Sequence, residues 1–198
     1  MTPPTKRRGR PRAFDDAIVL ARATDTFLKH GYAGASLDAL TTAMGLNKPS
    51  LYAAFGDKRR LFQRTVVDLA ARRGQRFRAA FERGTTLETA LREMLLEAVE
   101  IYLGGDEPAG CLMVNGATTE ALVDPGLAEL TREFFALSDR VVATWIARHA
   151  PDAEALALSR MVNGVIHDMA LRARVGESRA KLRDYARGSA LLLSRAAG

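Results

Sequence analysis

From Asp15 onward, apolar residues recur at helical spacing along the chain, and no stretch alternates with a period of two. This pattern predicts an all-α fold of about nine helices. Asp15 or Asp16 caps a first helix that ends at Gly31, and Ser36 caps a short second helix that ends before Gly45. The later long helices are predicted over residues 57–81, 87–103, 111–123, 127–149, 152–174 and 178–196.

Local signals mark several of these helix ends. Asn47 caps the third helix, which runs to Phe55 and carries Pro49 in its first turn, where the missing N–H costs nothing. The pair Thr85 and Glu88 has the spacing of a capping box before the fifth helix. Asp124-Pro125 predicts a break between two later helices.

Composition limits the class of protein. The 198 residues are 47% hydrophobic and 26% charged, which permits a cooperative core and excludes wholesale disorder. No apolar run approaches the roughly 18–20 residues that span a bilayer, and the basic N-terminus lacks the apolar stretch of a signal peptide. The single cysteine cannot form an internal disulfide. We expect a cytoplasmic protein that does not contact membranes.

Positive charge is concentrated in the first third. Residues 1–64 hold 12 Lys/Arg against 5 Asp/Glu, and the remainder holds 17 against 18. A polyanionic partner at this end is favoured over a solubilising tail, because basic residues placed on phosphates release counterions. Residues 1–13 predict a flexible basic arm. Within it, Arg8, Arg10 and Arg12 could follow DNA phosphates or enter a narrow minor groove.

Residues 37–56 have the form of a helix-turn-helix. Leu40, Met44, Leu46 and Leu51 fall where two crossed short helices pack on each other, and Gly45 supplies a turn that requires positive φ. An ordinary helical hairpin in a bundle is the alternative. The adjoining basic arm favours the DNA-binding interpretation.

The same segment carries a longer motif. It comprises Phe27, Gly31-Tyr32, Ser36-Leu37, Leu40, the run Met44–Tyr52, Phe55–Lys58 and Leu61-Phe62. Over residues 14–62 this spacing resembles the DNA-binding region of TetR family transcriptional regulators. Gly110-Cys111-Leu112 and Gly9-Arg10-Pro11-Arg12 are similar to a branch that includes copper- and electrophile-responsive repressors.

The resemblance implies a domain plan and a function. The arm at 1–13 precedes a helix-turn-helix domain at 14–60 and a ligand-binding and dimerisation domain at 61–198. The expected function is that of a repressor, without a cofactor and not an enzyme. It would bind a palindromic DNA operator as a homodimer and be released by an unknown small-molecule effector.

Geometry assigns roles within the DNA-binding region. A recognition helix enters the major groove with its N-terminus first, which places Asn47, Lys48, Pro49 and Ser50 nearest the bases. Tyr52, Thr41, Thr42 and Lys58 are expected to contact the DNA backbone. The segment departs from the family pattern in two places: Thr41 replaces a small alanine, and Ala53-Ala54 replaces a polar or aromatic pair.

Two apolar stripes near the C-terminus predict a dimer interface. The eighth helix carries Leu158, Val162, Val165 and Met169, and the ninth carries Leu182, Tyr185, Ala186, Ser189 and Leu193. Two such helices from each subunit would form a four-helix interface. The alternative is that the stripes face the core of their own subunit.

A ligand pocket is expected among helices four to eight. Its candidate residues are Tyr102, Met113, Asn115, Phe134, Trp145, Asn163 and His167. Asn163 and His167 share a helix face and could be pocket polar groups or satisfied core residues. Cys111 begins a helix, where the dipole favours a reactive thiolate, or it is a small buried apolar residue. The three histidines and the cysteine lack metal-ligand spacing, so no metal is expected.

Three other functions are alternatives to ligand-responsive repression. Cys111 could make the protein a thiol- or electrophile-sensing repressor. A DNA-binding protein without an effector would be architectural and show little sequence preference. An enzyme using His167-Asp168 with Ser159 or Cys111 is disfavoured, because neighbouring helix residues point about 100° apart and no nucleophile elbow is present.

Overall fold

The computed structural model describes residues 15–104, 110–151 and 153–197, and within them the chain is all helical. The α-helices are α1 Asp16–Gly34, α2 Leu37–Met44, α3 Lys48–Phe55, α4 Lys58–Phe81, α5 Leu87–Leu103, α6 Leu112–Gly116, α7 Pro125–Ile146, α8 Ala155–Arg174 and α9 Arg179–Arg195. A short 3₁₀ turn over Glu120–Leu122 lies between α6 and α7. The prediction of an all-α chain with about nine helices is confirmed.

The caps of α2, α3 and α4 form as their residue types predict. The side chains of Ser36, Asn47 and Asp57 each accept a hydrogen bond from a backbone N–H in the first turn of the following helix. Gly45, at φ 68° and ψ 31°, makes the left-handed turn after α2 and donates its N–H to that helix. Eight-residue helices are marginal alone. These caps and the packing behind them hold α2 and α3 in place.

Gly31 breaks α1 near its end, as predicted. Its φ of 70° and ψ of 178° interrupt the helical backbone, and the chain resumes a helical turn up to Gly34. A Cβ at Gly31 would lie 3.8 Å from the carbonyl oxygen of Asn115. The break therefore lets the end of α1 approach α6.

Three predicted boundaries are wrong. The capping box before α5 uses Thr86 and Thr89 rather than Thr85 and Glu88, because Thr86 takes the extended N-cap conformation. The predicted helix over 111–123 is only α6 and the 3₁₀ turn, since Ala117 leaves the helical region at φ −129°. Asp124-Pro125 does separate the two elements as predicted, but α7 begins at Pro125 rather than at Leu127, because Asp124 caps it: the Asp124 carboxylate accepts from Gly126 N at 2.8 Å.

α4 belongs to both halves of the molecule. Leu61 and Phe62 are fully buried, and the Phe62 ring lies 5.0 Å from that of Phe27 and 5.2 Å from that of Tyr32, both on α1. Further along, α4 packs against α5, which also contacts α8 and α9. The expected domain boundary at 60/61 thus falls in the first turn of a continuous helix.

The predicted dimer stripes face inward. Leu158, Val162 and Met169 on α8 and Leu182 and Ala186 on α9 are buried in the core of the single chain. The remaining stripe residues are also partly or fully buried: Val165, Tyr185, Ser189 and Leu193. These residues pack α8 and α9 onto α5, so a dimer interface on these helices requires their opposite, exposed faces.

We expect Gly45→Ala to lower the free energy of unfolding by about 1–2 kcal/mol, because the left-handed backbone conformation at this position is strained for an alanine. The matched control is Gly74→Ala in the middle of α4, where an added Cβ meets nothing within 4 Å. There the same substitution should stabilise by up to about 1 kcal/mol. Urea unfolding at a fixed protein concentration measures both. Equal effects of the two substitutions would contradict the assigned turn.

Candidate functional site

The outer face of α3 is the first candidate site. Leu51 and Phe55 are buried behind the helix and fix its position. Ser50 is partly buried, and its N–H is held by the Asn47 side chain at 2.8 Å. The residues exposed at the start and on the outer face of the helix are Asn47, Lys48, Pro49 and Tyr52. The helix therefore presents its N-terminal end, with the positive end of its dipole, to solvent.

Lys48 has an intramolecular partner. Its Nζ lies 2.7 Å from Asp38 Oδ1 on α2, and both side chains are exposed. The hydrogen bond to Asp38 raises the pKa of Lys48 above its ordinary value. A pair this exposed to water is weak. Lys48 is therefore a cation held loosely at the tip of α3 and able to exchange its carboxylate for another anion.

Thr41 is predicted to contact the DNA backbone, but the structure places it away from the surface. Its side chain is buried, and its hydroxyl donates to the carbonyl oxygens of Leu37 at 2.9 Å and Asp38 at 3.1 Å. The hydroxyl therefore bonds back into its own helix, and Thr41 packs at the close approach of α2 to its neighbours. Thr42, the next residue, is exposed.

Lys58 also has partners inside the protein. Its Nζ donates to the carbonyl oxygen of Ala33 at 3.3 Å and lies 4.7 Å from the centre of the Tyr32 ring. Burial lowers the pKa of Lys58 below its ordinary value. Lys58 thus holds the start of α4 against the end of α1. The predicted arm contacts Arg8, Arg10 and Arg12 lie outside the described residues.

The second candidate site is a cavity of about 670 Å³ among α4, α5, α6, α7 and α8. Its wall is mostly apolar. The predicted pocket residues that line it are Tyr102, Met113, Phe134, Trp145, Asn163 and His167. The volume lies within the range of cavities that hold small molecules.

Asn115 is the predicted pocket residue that does not line this cavity. Its Oδ1 accepts from the backbone N–H of Cys111 at 3.3 Å, so the side chain turns toward the start of α6. Its buried Nδ2 has no hydrogen-bond partner within the described part of the chain. Met113 and Asn115 are two residues apart on a helix and therefore point to different sides, so Asn115 turns away from the cavity that Met113 faces.

Asn163 lines the cavity but is already satisfied. Its Oδ1 accepts from the Ser138 hydroxyl at 3.1 Å, and its Nδ2 donates to Asp139 Oδ1 at 2.8 Å. Arg160 completes the network from the outside, with its Nε 3.4 Å from Asp139 Oδ2. The main role that these contacts give Asn163 is to tie α8 to α7.

His167 is the titratable group next to this network. It lines the cavity, and its ring centre lies 5.1 Å from that of Phe135. Burial lowers the pKa of His167 below its ordinary value, against a smaller opposing effect of Asp139. The ring is therefore neutral at neutral pH and can donate or accept a hydrogen bond inside the cavity.

Arg73 lines the cavity and was missed from the sequence. Its Nη1 donates to the carbonyl oxygen of Gly110 at 2.7 Å, and its guanidinium lies 5.5 Å from the centre of the Tyr102 ring. On α4, Val66, Leu69, Arg73 and Phe77 follow one another at spacings of three, four and four. An arginine inside an apolar stripe is the signal that would have found it.

Cys111 is buried in the cavity wall at the start of α6. It occupies the N-cap position without forming a side-chain cap, and α6 is only five residues long. These contacts agree with a small apolar wall residue and do not favour the thiol-sensing alternative.

α6 connects the cavity to α1. Cys111, Leu112 and Met113 line the cavity, whereas a Cβ at Gly116 would lie 3.7 Å from the Phe62 ring beside α1. The helix packs against α1 along this side. α6 therefore contacts both the cavity and the end of α1.

Two polar links join the same regions. Arg59 at the start of α4 lies 3.0 Å from Asp124, the cap of α7, whose pKa is lowered mainly by the backbone N–H of Leu127. Arg174 at the end of α8 donates to the carbonyl oxygens of Leu28 and Lys29 on α1. Both halves of the molecule are thus connected by charged hydrogen bonds as well as by packing.

The described residues do not form a metal site, a membrane-spanning helix or a catalytic group around His167. Across 15–104, 110–151 and 153–197, no three His, Cys, Asp or Glu side chains are grouped to hold a metal ion. No helix in this part of the chain is long and apolar enough to cross a bilayer. The hydroxyl of Ser159 donates to the carbonyl oxygen of Leu156, and Asp168 pairs with Arg172 at 2.6 Å, so neither serves His167.

We expect the stability of the protein to fall as the pH drops from about 7.5 through the ordinary His pKa of about 6.5, because the unfolded chain binds a proton there that buried His167 resists. The substitution His167→Gln removes this contribution. Urea unfolding at about pH 7.5 and about pH 5.5 should show a smaller loss for the variant than for the wild type. Equal losses would show that His167 does not resist protonation.

Comparison with known proteins agrees with this arrangement. Residues 19–65 match the family described as bacterial regulatory proteins, tetR family. The chain is 32% identical over 192 residues to the HTH-type transcriptional repressor ComR of Escherichia coli K12, covering 91% of this chain and 90% of that protein. It is 27% identical over 170 residues to the repressor BdcR of the same strain, covering 86% and 84%.

Solved structures extend the similarity to the whole fold. A cysteine mutant of the TetR family transcriptional regulator CifR, complexed with a 26-base-pair operator DNA, is 31% identical and has a TM-score of 0.78. The match covers 92% of this chain and 98% of that one. The identity to ComR extends over most of both chains, and the exposed recognition helix lies within the matched segment. The chain therefore belongs to the TetR family and is a helix-turn-helix, DNA-binding transcriptional regulator.

Proposed function

We propose that this regulator is a repressor that binds a palindromic operator as a homodimer and leaves it when a small molecule occupies the cavity. The observation that carries the proposal is the position of α6, which lines the cavity with Cys111, Leu112 and Met113 and packs against α1 with its other side. ComR and BdcR are named as repressors, which supports repression over activation. Because operators lie in the bacterial cytoplasm, the proposal places the protein there.

The DNA-reading role is assigned to the exposed start of α3. Lys48 can donate to guanine O6 and N7 or to a phosphate, and Pro49 can contact a thymine methyl. Ser50 and the Asn47 amide lie beside them, while Tyr52, with 47% of its surface exposed, can donate its hydroxyl to a phosphate. Exposed Thr42 is a further backbone contact. Thr41 is not part of this surface.

Asp38 adjusts how strongly Lys48 binds DNA. In the structure the Asp38 carboxylate holds the Lys48 ammonium, so DNA must displace it before Lys48 reaches a base or phosphate. The displaced carboxylate then lies close to the DNA, where its charge opposes the phosphates. We therefore infer that the negative charge of Asp38 lowers the affinity for DNA.

Proteins of this family act as homodimers, and the exposed faces of α8 and α9 supply a matching surface. On α8, Met161 and Leu171 are 55% and 47% exposed, and on α9 Leu192 is 67% exposed. Gly164 and Gly188 lie on open faces of these helices, where an added Cβ meets nothing within 4 Å. Small residues allow close helix approach, and two copies of this face could form a four-helix interface.

Release follows from the separation of the two recognition helices. They must lie about 34–36 Å apart to enter successive major grooves on one face of DNA. A molecule in the cavity that shifts α6 also shifts the end of α1 and, through Phe62, the start of α4. Such a molecule acts only if it binds the shifted form more tightly than the DNA-binding form.

We expect Lys48→Met to weaken operator binding about tenfold or more, because a bidentate or charge-assisted contact is worth about 1–3 kcal/mol. Asp38→Asn should act in the opposite direction and tighten binding at low salt. Arg132→Met on α7 removes one exposed positive charge from the C-terminal half, outside the cavity lining and the proposed dimer helices, and should leave affinity unchanged. Fluorescence anisotropy of a labelled operator at several salt concentrations measures all three. Unchanged affinity in Lys48→Met, or weaker binding in Asp38→Asn, would overturn the assignment.

Trp145 provides a direct test of effector binding. It is the single tryptophan of the chain and lines the cavity, so its fluorescence should change when a small molecule enters. We expect compounds that change it to release operator DNA at the same concentrations. The conservative variant Gly116→Ala, which adds a methyl group in van der Waals contact with Phe62, should alter release more than it alters the fluorescence titration. Compounds that saturate the cavity without any release would contradict an effector role.

A further inference from the structure

Arg73 is a charged group in a cavity wall that is mostly apolar. The partly buried side chain reaches the cavity between Tyr102 and Cys111. Its Nη1 donates a hydrogen bond to the Gly110 carbonyl oxygen, and its guanidinium packs near the Tyr102 ring. A carbonyl and an aromatic face satisfy part of its donor set but do not neutralise its charge.

The surroundings of Arg73 make this charge costly. Burial lowers the pKa of Arg73, as expected where an ionised group loses water. Among the residues that the structure describes, no carboxylate forms an ion pair with it, although its neighbours on α4 are paired: Arg72 with Asp68 at 2.8 Å and Arg76 with Glu97 at 2.7 Å. Glu133, at the cavity wall, is exposed to solvent.

The rest of the cavity defines what could neutralise Arg73. The groups opposite it are apolar side chains from α4, α5 and α7, among them Leu69, Phe77, Met94 and Val142. Of the other polar groups, Asn163 is satisfied and His167 is neutral. Arg78 and Glu133 lie at the exposed edge of the lining, where Arg78 is paired with Glu82 at 2.8 Å. The one lining guanidinium without a carboxylate among the described residues matches a single negative charge on an apolar body, whereas a polyphosphate would require several basic groups.

We propose that the effector of this regulator is an organic monocarboxylate with an apolar body, bound through its carboxylate to Arg73. The inference rests on the proposed function, because it names the chemical class of the molecule that occupies the same cavity. The carboxylate takes the donors that Gly110 leaves open, and the apolar body fills the space toward Trp145. Binding then draws Arg73 and the α6 end of the cavity together.

The test compares matched pairs that differ only in charge. Straight-chain carboxylates from hexanoate to dodecanoate and 4-alkylbenzoates are titrated beside their primary amides, with Trp145 fluorescence as the readout. We expect at least one carboxylate to bind about tenfold or more tightly than its amide, as a charge-assisted bidentate contact implies. Arg73→Gln should abolish this preference and Arg73→Lys should retain part of it. Arg72→Gln, on the exposed side of α4, should leave it unchanged.

Several outcomes would overturn the proposal. If no carboxylate in the series binds more tightly than its amide, or if the preference persists in Arg73→Gln, the proposal is wrong. Asp106 and Glu107 lie outside the described residues and precede Gly110 in the chain. A carboxylate preference that appears only in the variant Asp106→Asn/Glu107→Gln would show that this segment neutralises Arg73, and the inference fails for the native protein.

The outcomes also separate this inference from the proposed function. An uncharged compound that fills the cavity and releases operator DNA, with no preference for carboxylates, overturns the inference and leaves effector-driven release standing. An Arg73-dependent carboxylate preference without release supports the ligand class and overturns the release step. A thermal-shift titration of wild type and Arg73→Gln repeats the comparison without relying on fluorescence.

Discussion

Both candidate sites depend on one continuous helix. The first turns of α4 place Leu61 and Phe62 in the core beneath the recognition helix, and its later turns place Leu69 and Arg73 in the cavity wall. A helix without an internal proline transmits a displacement along its length instead of absorbing it at a hinge. The DNA-binding unit therefore has no independent orientation: its position is fixed by how α4 packs in the larger unit.

That constraint gives α6 its importance. The end of α1 and the start of α4 pack on each other through Phe62, and α6 lies between that pair and the cavity. The polar link from Arg59 to Asp124 is exposed and therefore contributes little stability on its own. It joins the start of α4 to the start of α7. Allosteric coupling in such a structure needs only a small difference in packing between two arrangements.

How well the sequence predicts each part follows from the range of the interactions. Ser36, Gly45 and Asn47 act on residues three or four positions away, so the helix-turn-helix and its exposed face could be predicted from spacing alone. The apolar stripes of α8 and α9 could not be assigned to a partner, because Leu158 or Leu182 would look the same in a dimer interface as in the core. Asn115 and Arg73 cannot be assigned for a related reason: which face of α6 and which face of α4 meets the cavity depends on the packing of helices distant in sequence.

The two sites differ in how far their key positive charge is exposed to water. At the tip of α3, Lys48 is surrounded by water and exchanges one anion for another at little cost, so recognition there is sensitive to salt. At the cavity, Arg73 is shielded from water, and an opposite charge placed beside it gains more than it would at the surface. The binding of DNA is thus tuned by exposed charges that can be outcompeted, whereas the binding of an effector relies on a buried charge that lacks a carboxylate among the described residues. A regulator with this arrangement can release DNA in response to a weakly acidic molecule without either ligand contacting the other.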